Sequence, residues 1–211
     1  MSDPLSTRPE GVAFLLGLIG SGIGPSLTPP MHEREAAELG RPLEYRTLDI
    51  DELGSAPEDV GELMRSARRL GFDGLNITHP CKQLALHHLD GLTPDAQALG
   101  AVNTVVFGDS GVQGHNTDWS AFARSLESGL PGAPKDRVLL LGTGGAGAAV
   151  GYALMRAGTG ELDVADPDPD RAELLAANLR GLFPGRVCRA VPTRHVADTC
   201  LLYTSDAADD S

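Results

Sequence analysis

The hexapeptide Gly142-Thr-Gly-Gly-Ala-Gly147 constrains this chain more than any other feature. Its glycines at 142, 144 and 147 have the G-x-G-x-x-G spacing, directly after the apolar stretch Arg137 to Leu141 and at the head of a helical segment, Ala146 to Ala157. In that setting the first glycine makes a tight turn, the second admits a pyrophosphate against the backbone, and the third lets helix and strand pack closely. The N–H groups of Gly144, Gly145 and Ala146 then meet the phosphates at a helix N-terminus. A glycine-rich loop alone would be weak evidence. Here Glu161 to Ala165 reads as a second strand, Pro169 to Leu182 as a helix and Arg186 to Val191 as a third strand, completing the βαβαβ half of a dinucleotide fold.

The end of the second strand bears on the choice of cofactor. Asp166 stands 19 residues after Gly147, where a carboxylate accepts the ribose 2′-hydroxyl and repels a 2′-phosphate. The first basic residue beyond it is Arg171, on the next helix, so NAD is expected and NADP disfavoured. Asp166, Arg171 and Gly142, Gly144, Gly145, Ala146 and Gly147 form the cofactor-binding set. The competing reading is that Asp166 and Asp168 only cap the next helix, which suits Asp168.

Upstream, strands and helices also alternate, which argues α/β architecture with a mostly parallel sheet. Val12 to Ile19, Leu43 to Ile50 and Phe72 to Thr78 read as strands; Met31 to Leu39, Pro57 to Leu70 and Pro80 to Leu89 read as helices; Val102 to Phe107 and Val112 to His115 form a hairpin. Gly129 to Asp136, with two Gly and two Pro in eight residues, is the linker candidate. The expected organisation is a substrate-binding catalytic domain at 12–118, a connecting helix and linker at 119–136, and the first half of a Rossmann domain at 137–199. The first eleven residues are expected to be disordered.

Seventeen Lys plus Arg against 29 Asp plus Glu gives a net charge of −12, which disfavours nucleic acid and anionic membranes as partners. No apolar run is long enough to span a bilayer, and three dispersed cysteines with no leader peptide point to a reduced, cytoplasmic setting. The segment Cys200 to Ser211 has no Gly, Pro or Arg and resembles a translated library-preparation adapter over Cys200 to Asp209. It is excluded from fold reasoning as an expected artefact, the alternative being a natural acidic tail. Its removal leaves 26 acids against 17 bases, a net −9.

Lysine occurs only at Lys82 and Lys135, against 15 arginines. Lysine titrates where arginine does not, so a lysine retained in a polar motif is a candidate for proton chemistry, although GC-rich coding gives the same bias. Three polar clusters stand at expected strand ends: Ser26 and Thr28; Asn76, Thr78 and Lys82; and Asn103-Thr104 with Asn116-Thr117-Asp118. The phrases Gly17-Leu-Ile-Gly, Ser26-Leu-Thr-Pro-Pro-Met-His, Gly74-Leu-Asn-Ile-Thr-His-Pro-Cys-Lys, Ala98-Leu-Gly-Ala-Val-Asn-Thr, Gly114-His-Asn-Thr-Asp and Gly142-Thr-Gly-Gly-Ala-Gly follow in that order. Together they resemble the shikimate and quinate dehydrogenase family over residues ~12 to ~190.

That resemblance implies an NAD-linked alcohol dehydrogenase acting on a small cyclic hydroxy acid, shikimate or quinate. It implies that Ser26 and Thr28 hold the substrate carboxylate, that Asn76, Thr78, Asn103 and Asp118 bond ring hydroxyls, and that Lys82 is catalytic. Ser-x-Thr rather than Ser-x-Ser is similar to NAD-using members that also accept quinate. Hydride transfer from an alcohol leaves a hydroxyl proton to be moved, which suits Lys82 beside an orienting Asp118. Without the resemblance, Lys82 would read as a solvated charge and Ser26/Thr28 as turn residues. No metal site is expected: His87-His88 lacks ligand spacing to any further Cys or His, and Cys81 has no activating partner. A monomer or homodimer is expected. The alternatives are a non-catalytic ligand-sensing module, disfavoured by the Lys82/Asp118 pair, and a folate-type two-domain dehydrogenase, which does not explain Ser26/Thr28. The resemblance also implies that later Rossmann strands and C-terminal helices are missing, so the chain as written is expected to be poorly soluble or inactive.

Overall fold

The computed structural model describes residues 13–194. The expectations for the first eleven residues and for 200–211 lie outside them. The chain divides into two compact units, one ending at Asn116 and the other beginning at Thr117.

The first unit is a six-stranded sheet of order β2-β1-β3-β5-β6-β4. Its strands are β1 (Phe14–Gly20), β2 (Leu43–Asp49), β3 (Gly74–Ile77), β4 (Gly91–Leu92), β5 (Thr104–Gly108) and β6 (Gly111–His115). β1 runs parallel to β2 and β3, and β4 parallel to β6, while β5 is antiparallel to both β3 and β6. Its helices are α1 (Thr28–Glu38), α2 (Ile50–Leu53), α3 (Val60–Arg69) and α4 (Pro94–Leu99). Ile19, Ile77, Val102 and Val105 pack with Val60, Met64 and Ala67 of α3 in one core. On the other face Leu18, Ile23 and Tyr45 form a smaller one. Burying a side chain such as Met64 stabilises the fold by roughly 1.5–3 kcal/mol.

Local departures from the sequence reading have physical reasons. Helix α1 begins at Thr28, three residues earlier than expected, because Pro29 and Pro30 occupy its first turn, where a missing N–H costs nothing. Pro57–Asp59 is a 3-10 turn that feeds α3, and Gly71 beyond that helix adopts φ +88°. The expected helix from Pro80 to Leu89 is instead a series of turns leading into a 3-10 helix, Leu84–His88. Lys82 therefore sits on a turn rather than at a helix start. The two-residue β4 and the six-residue α4 carry too few positions to show a period and were not expected.

The second unit is a three-stranded parallel sheet of order β7-β8-β9, from β7 (Arg137–Leu141), β8 (Glu161–Ala165) and β9 (Val187–Ala190). Three helices accompany it: α5 (Asp118–Gly129), α6 (Gly145–Arg156) and α7 (Pro169–Leu182). The close approach between helix and sheet occurs at Gly151: a Cβ there would stand 3.0 Å from Leu179 Cδ1 and 3.2 Å from Leu140 Cδ2. Asp163, in the middle of β8, is fully buried, and Arg137 and Arg189 on the flanking strands hold its carboxylate at 2.9 and 3.1 Å. Trp119 of α5 meets Tyr152 of α6 edge-on, their centroids 5.6 Å apart, with the Arg156 guanidinium 4.6 Å above the indole. Among the described residues no helix is long and apolar enough to cross a membrane.

Candidate functional site

In the first unit the loops after β1 and β3 and the residues preceding β5 lie at one end of the strands. The Ser21 amide donates to the His79 carbonyl (3.0 Å), Thr78 N–H to the Ile19 carbonyl (2.9 Å), Ile77 N–H to the Asn103 carbonyl (2.8 Å) and Val102 N–H to the Lys82 carbonyl (3.0 Å). These main-chain bonds tie the segments that carry Thr78, Lys82 and Asn103 to the end of β3, where Asn76 stands, and to the start of the loop that leads to Ser26 and Thr28. Asp118 opens α5 and belongs to the second unit.

The loop carrying Ser26 and Thr28 is held by two carboxylates. Asp49, at the end of β2 and almost fully buried, accepts from Ile23 N–H (2.8 Å), Gly22 N–H (3.2 Å) and Asp51 N–H (3.1 Å). Asp51 accepts from the Ser21 hydroxyl at 2.6 Å and Gly22 N–H at 3.0 Å. Ser26 N–H closes a turn onto the Ile23 carbonyl (3.0 Å), and its Oγ accepts from Thr28 N–H (3.2 Å). Both hydroxyl residues are half-buried. His32, one turn into α1, places its Nδ1 2.8 Å from the Thr28 carbonyl and its ring 5.2 Å from that of Tyr45.

A row of polar groups crosses the strands near the same end. Tyr45, on β2, donates its hydroxyl to Asn76 Oδ1 at 2.6 Å, and burial pushes its phenol well above the ordinary range. Asn76 Nδ2 stands 3.4 Å from both the Asn103 carbonyl and Thr104 Oγ1, and Thr104 donates to Asn103 Oδ1 at 2.9 Å. The buried Asn116 braces the loop from below through its amide to the Ala101 carbonyl (3.1 Å). Tyr45 and Asp49 look in sequence like an ordinary strand residue and an ordinary cap, whereas Thr104 and His32 lie inside the motifs but carry no role there. Cross-strand register places Tyr45 and Thr104, while loop and helix contacts place Asp49 and His32.

Cys81 is fully buried beside Lys82, and desolvation, with Glu58 adding to it, pushes its thiol up to about 11. A thiol so held is a packing group, not a nucleophile. His87 and His88 are exposed, and among the described residues no group of His, Cys, Asp or Glu could hold a metal.

The glycine loop of the second unit has features suited to a dinucleotide. Gly142 adopts φ +88°, a conformation that favours glycine, and its N–H bonds the Ala165 carbonyl at 2.8 Å. Gly144 is the N-cap of α6, Gly145 and Ala146 begin its first turn, and Gly147 is buried. No side chain caps this helix and no acid lies in its first turn, so its amide end suits an anion. Asp166 reaches back to the loop, accepting from Thr143 N–H (2.9 Å) and the Thr143 hydroxyl (2.7 Å), while Asp168 N–H bonds its other oxygen (2.9 Å). Burial raises the Asp166 carboxyl, but the Thr143 hydroxyl, the two amides and the Arg171 charge outweigh it and hold it below its ordinary value. Asp168 is the N-cap of α7, accepting from Asp170 N–H and Arg171 N–H at 3.0 and 3.4 Å. Arg171 itself lies exposed in the first turn of α7.

Residues 18–105 match the family described as shikimate dehydrogenase substrate binding domain. The chain is 57% identical over 189 residues to the shikimate dehydrogenase (NADP(+)) of Pseudarthrobacter chlorophenolicus, an alignment covering 90% of this chain and 64% of that protein. The quinate dehydrogenase of Corynebacterium glutamicum, solved in complex with NAD, superposes with a TM-score of 0.82 at 46% identity, covering 88% of this chain and 66% of that one. The shikimate 5-dehydrogenase of Thermus thermophilus, solved with shikimate, gives a TM-score of 0.79 at 34% identity, with 93% of this chain and 70% of that one covered. The chain thus spans less than two thirds of the first of these relatives.

Proposed function

Because the chain belongs to the shikimate dehydrogenase family, we propose that it takes part in the reversible NAD-linked oxidation of a cyclic hydroxy acid, shikimate to 3-dehydroshikimate or quinate to 3-dehydroquinate. The observation that carries this reading is the set of main-chain bonds that ties together, at one end of the strands, the loop after β1 that leads to Ser26 and Thr28, the segment after β3 with Thr78 and Lys82, and Asn103 before β5. Ser26 and Thr28 hold the substrate carboxylate with hydroxyl donors on a loop fixed by Asp49. Asn76, Thr78 and Asn103 bond the ring hydroxyls. Lys82 carries the hydroxyl proton away in oxidation and returns it in reduction.

NAD, when bound, takes up the hydride. Gly142, Gly144, Gly145, Ala146 and Gly147 cradle its pyrophosphate, and Asp166 receives the ribose hydroxyls. The case for NAD over NADP is the ionised Asp166 at the end of β8, held by Thr143. The relatives divide on this point, since one is described with NADP(+) and another was solved with NAD.

The test is absorbance in the reduced-nicotinamide band with NAD plus shikimate or quinate, on a version of the protein extended to the full length of its relatives. Lys82→Ala should lower turnover by roughly 10²–10⁴-fold while leaving NAD binding intact. Turnover near wild type would remove Lys82 from the mechanism, and no hydride transfer with either acid would remove the reading itself. Asp166→Arg should move the preference toward NADP, and an unchanged ratio would count against its role.

A further inference from the structure

The hydrogen bonds on the Asp166 carboxylate, at the end of β8, run in one direction only. Burial raises its carboxyl, but the Thr143 hydroxyl, the Asp168 and Thr143 amides and the Arg171 charge hold it below its ordinary value, so at neutral pH it is ionised and can only accept. Oδ2 takes the Thr143 N–H at 2.9 Å and the Thr143 hydroxyl at 2.7 Å, and Oδ1 takes the Asp168 N–H at 2.9 Å. A carboxylate offers about four acceptor sites, so one stays open, on Oδ1.

The second consequence falls on Thr143. A hydroxyl carries a single proton, and that of Thr143 is committed to Asp166, which leaves the Thr143 oxygen with lone pairs to offer and no proton to give. Thr143 and Asp166 are both half-buried, neither sealed in the core, and Thr143 lies between the two glycines that open the loop, directly before the N-cap of α6. Two acceptors of fixed character therefore stand on hydrogen-bonded neighbours, the Thr143 oxygen and Asp166 Oδ1. The glycine spacing leaves position 143 unspecified, so the motif assigns it no role.

We propose that Thr143 is a direct ribose contact: its oxygen accepts the 3′-hydroxyl of the dinucleotide's adenosine ribose, while the open site of Asp166 accepts the 2′-hydroxyl. The proposal rests on the reading of this loop as a dinucleotide site and deepens it. A vicinal diol brings two adjacent donors to two adjacent acceptors. Asp166 alone has one site for them, so without the Thr143 oxygen the second hydroxyl loses water and gains no partner. The same oxygen refuses a ribose esterified by phosphate at the 3′-position, where acceptor would face acceptor.

The test is calorimetric titration of NAD, and of an NAD analogue lacking the adenosine 3′-hydroxyl, on the protein extended to the full length of its relatives. The wild-type protein should bind the analogue about fivefold more weakly than NAD, the worth of one neutral hydrogen bond. Thr143→Val keeps the shape and removes the oxygen, and NAD should lose the same factor. The analogue should lose nothing further in that variant, because hydroxyl and oxygen are one interaction removed from either side. Thr143→Ser keeps the oxygen and should bind NAD like the wild type. Circular dichroism and thermal midpoints near wild type mark the variants as folded, and the wild-type comparison of the two ligands needs no variant. Equal wild-type affinity for NAD and the analogue, or losses that add in full, overturn the role of Thr143 and leave the dinucleotide reading standing. Failure of the wild type to bind NAD overturns that reading and the ribose contact with it.

Discussion

Asp166 is a residue whose position was legible but whose restraint was not. Its distance from Gly147 marks it in sequence, yet nothing there shows that Thr143 holds its carboxylate through both amide and hydroxyl. Those bonds hold the folded-state value below that of a free carboxylate, near 3.9. A group with a depressed folded-state value stabilises the fold above its unfolded value, and that contribution is lost as pH falls through the folded one. Asp166→Asn should therefore lower stability at neutral pH, and the gap to wild type should close below about pH 4. Chemical denaturation between pH 3 and 7 checks this, and a gap independent of pH would show that the carboxylate's charge contributes nothing. Lys82 stood out in sequence because lysine is scarce, and its neighbours made it a motif. Tyr45 gave no such signal, because strand positions are filled by tyrosine for packing alone, and Thr104 stood in a polar cluster without a role of its own.

At the scale of elements, β7, β8 and α7 fall where the sequence placed them, since each is a long pattern bounded by turn residues. Between Pro80 and Leu89 the same reasoning failed. There the chain closes short-range bonds, Cys81 N–H to Thr78 and Leu86 N–H to Gln83, and fits Cys81 and Ala85 into the core without a full α-helix. The turn from β7 into α6 was legible as a motif, but its glycines differ in what they require. Gly142 at φ +88° needs glycine, whereas Gly145 is the first residue of α6 with ordinary helical geometry. Gly142→Ala should destabilise the unit by roughly 1–2 kcal/mol and disturb dinucleotide binding. Gly145→Ala should be neutral or stabilise it by up to about 1 kcal/mol unless a phosphate needs the space. Thermal melts with and without NAD separate the two, and equal losses would show that backbone conformation is not the reason for the first glycine.

Over the whole molecule, a chain with net charge −12 is proposed to bind two anionic partners, a dinucleotide and a ring carboxylate. Its candidate sites meet that demand mainly with neutral donors: the hydroxyls of Ser26 and Thr28 on a loop pinned by the carboxylates Asp49 and Asp51, and the amide end of α6, which lacks a capping side chain. Neutral donors act over a few ångströms and are scarcely screened, while the repulsion between an acidic protein and an anionic ligand acts over a Debye length, ~10 Å at 0.1 M salt. Salt should therefore relieve repulsion more than it weakens attraction. Raising ionic strength from about 0.05 to 0.5 M should leave NAD affinity unchanged or improve it modestly, by titration calorimetry at fixed pH. A site built on a cluster of Lys and Arg does the opposite. A several-fold loss of affinity over that range would mean that cations such as Arg171, rather than the glycine loop and helix end, carry the pyrophosphate.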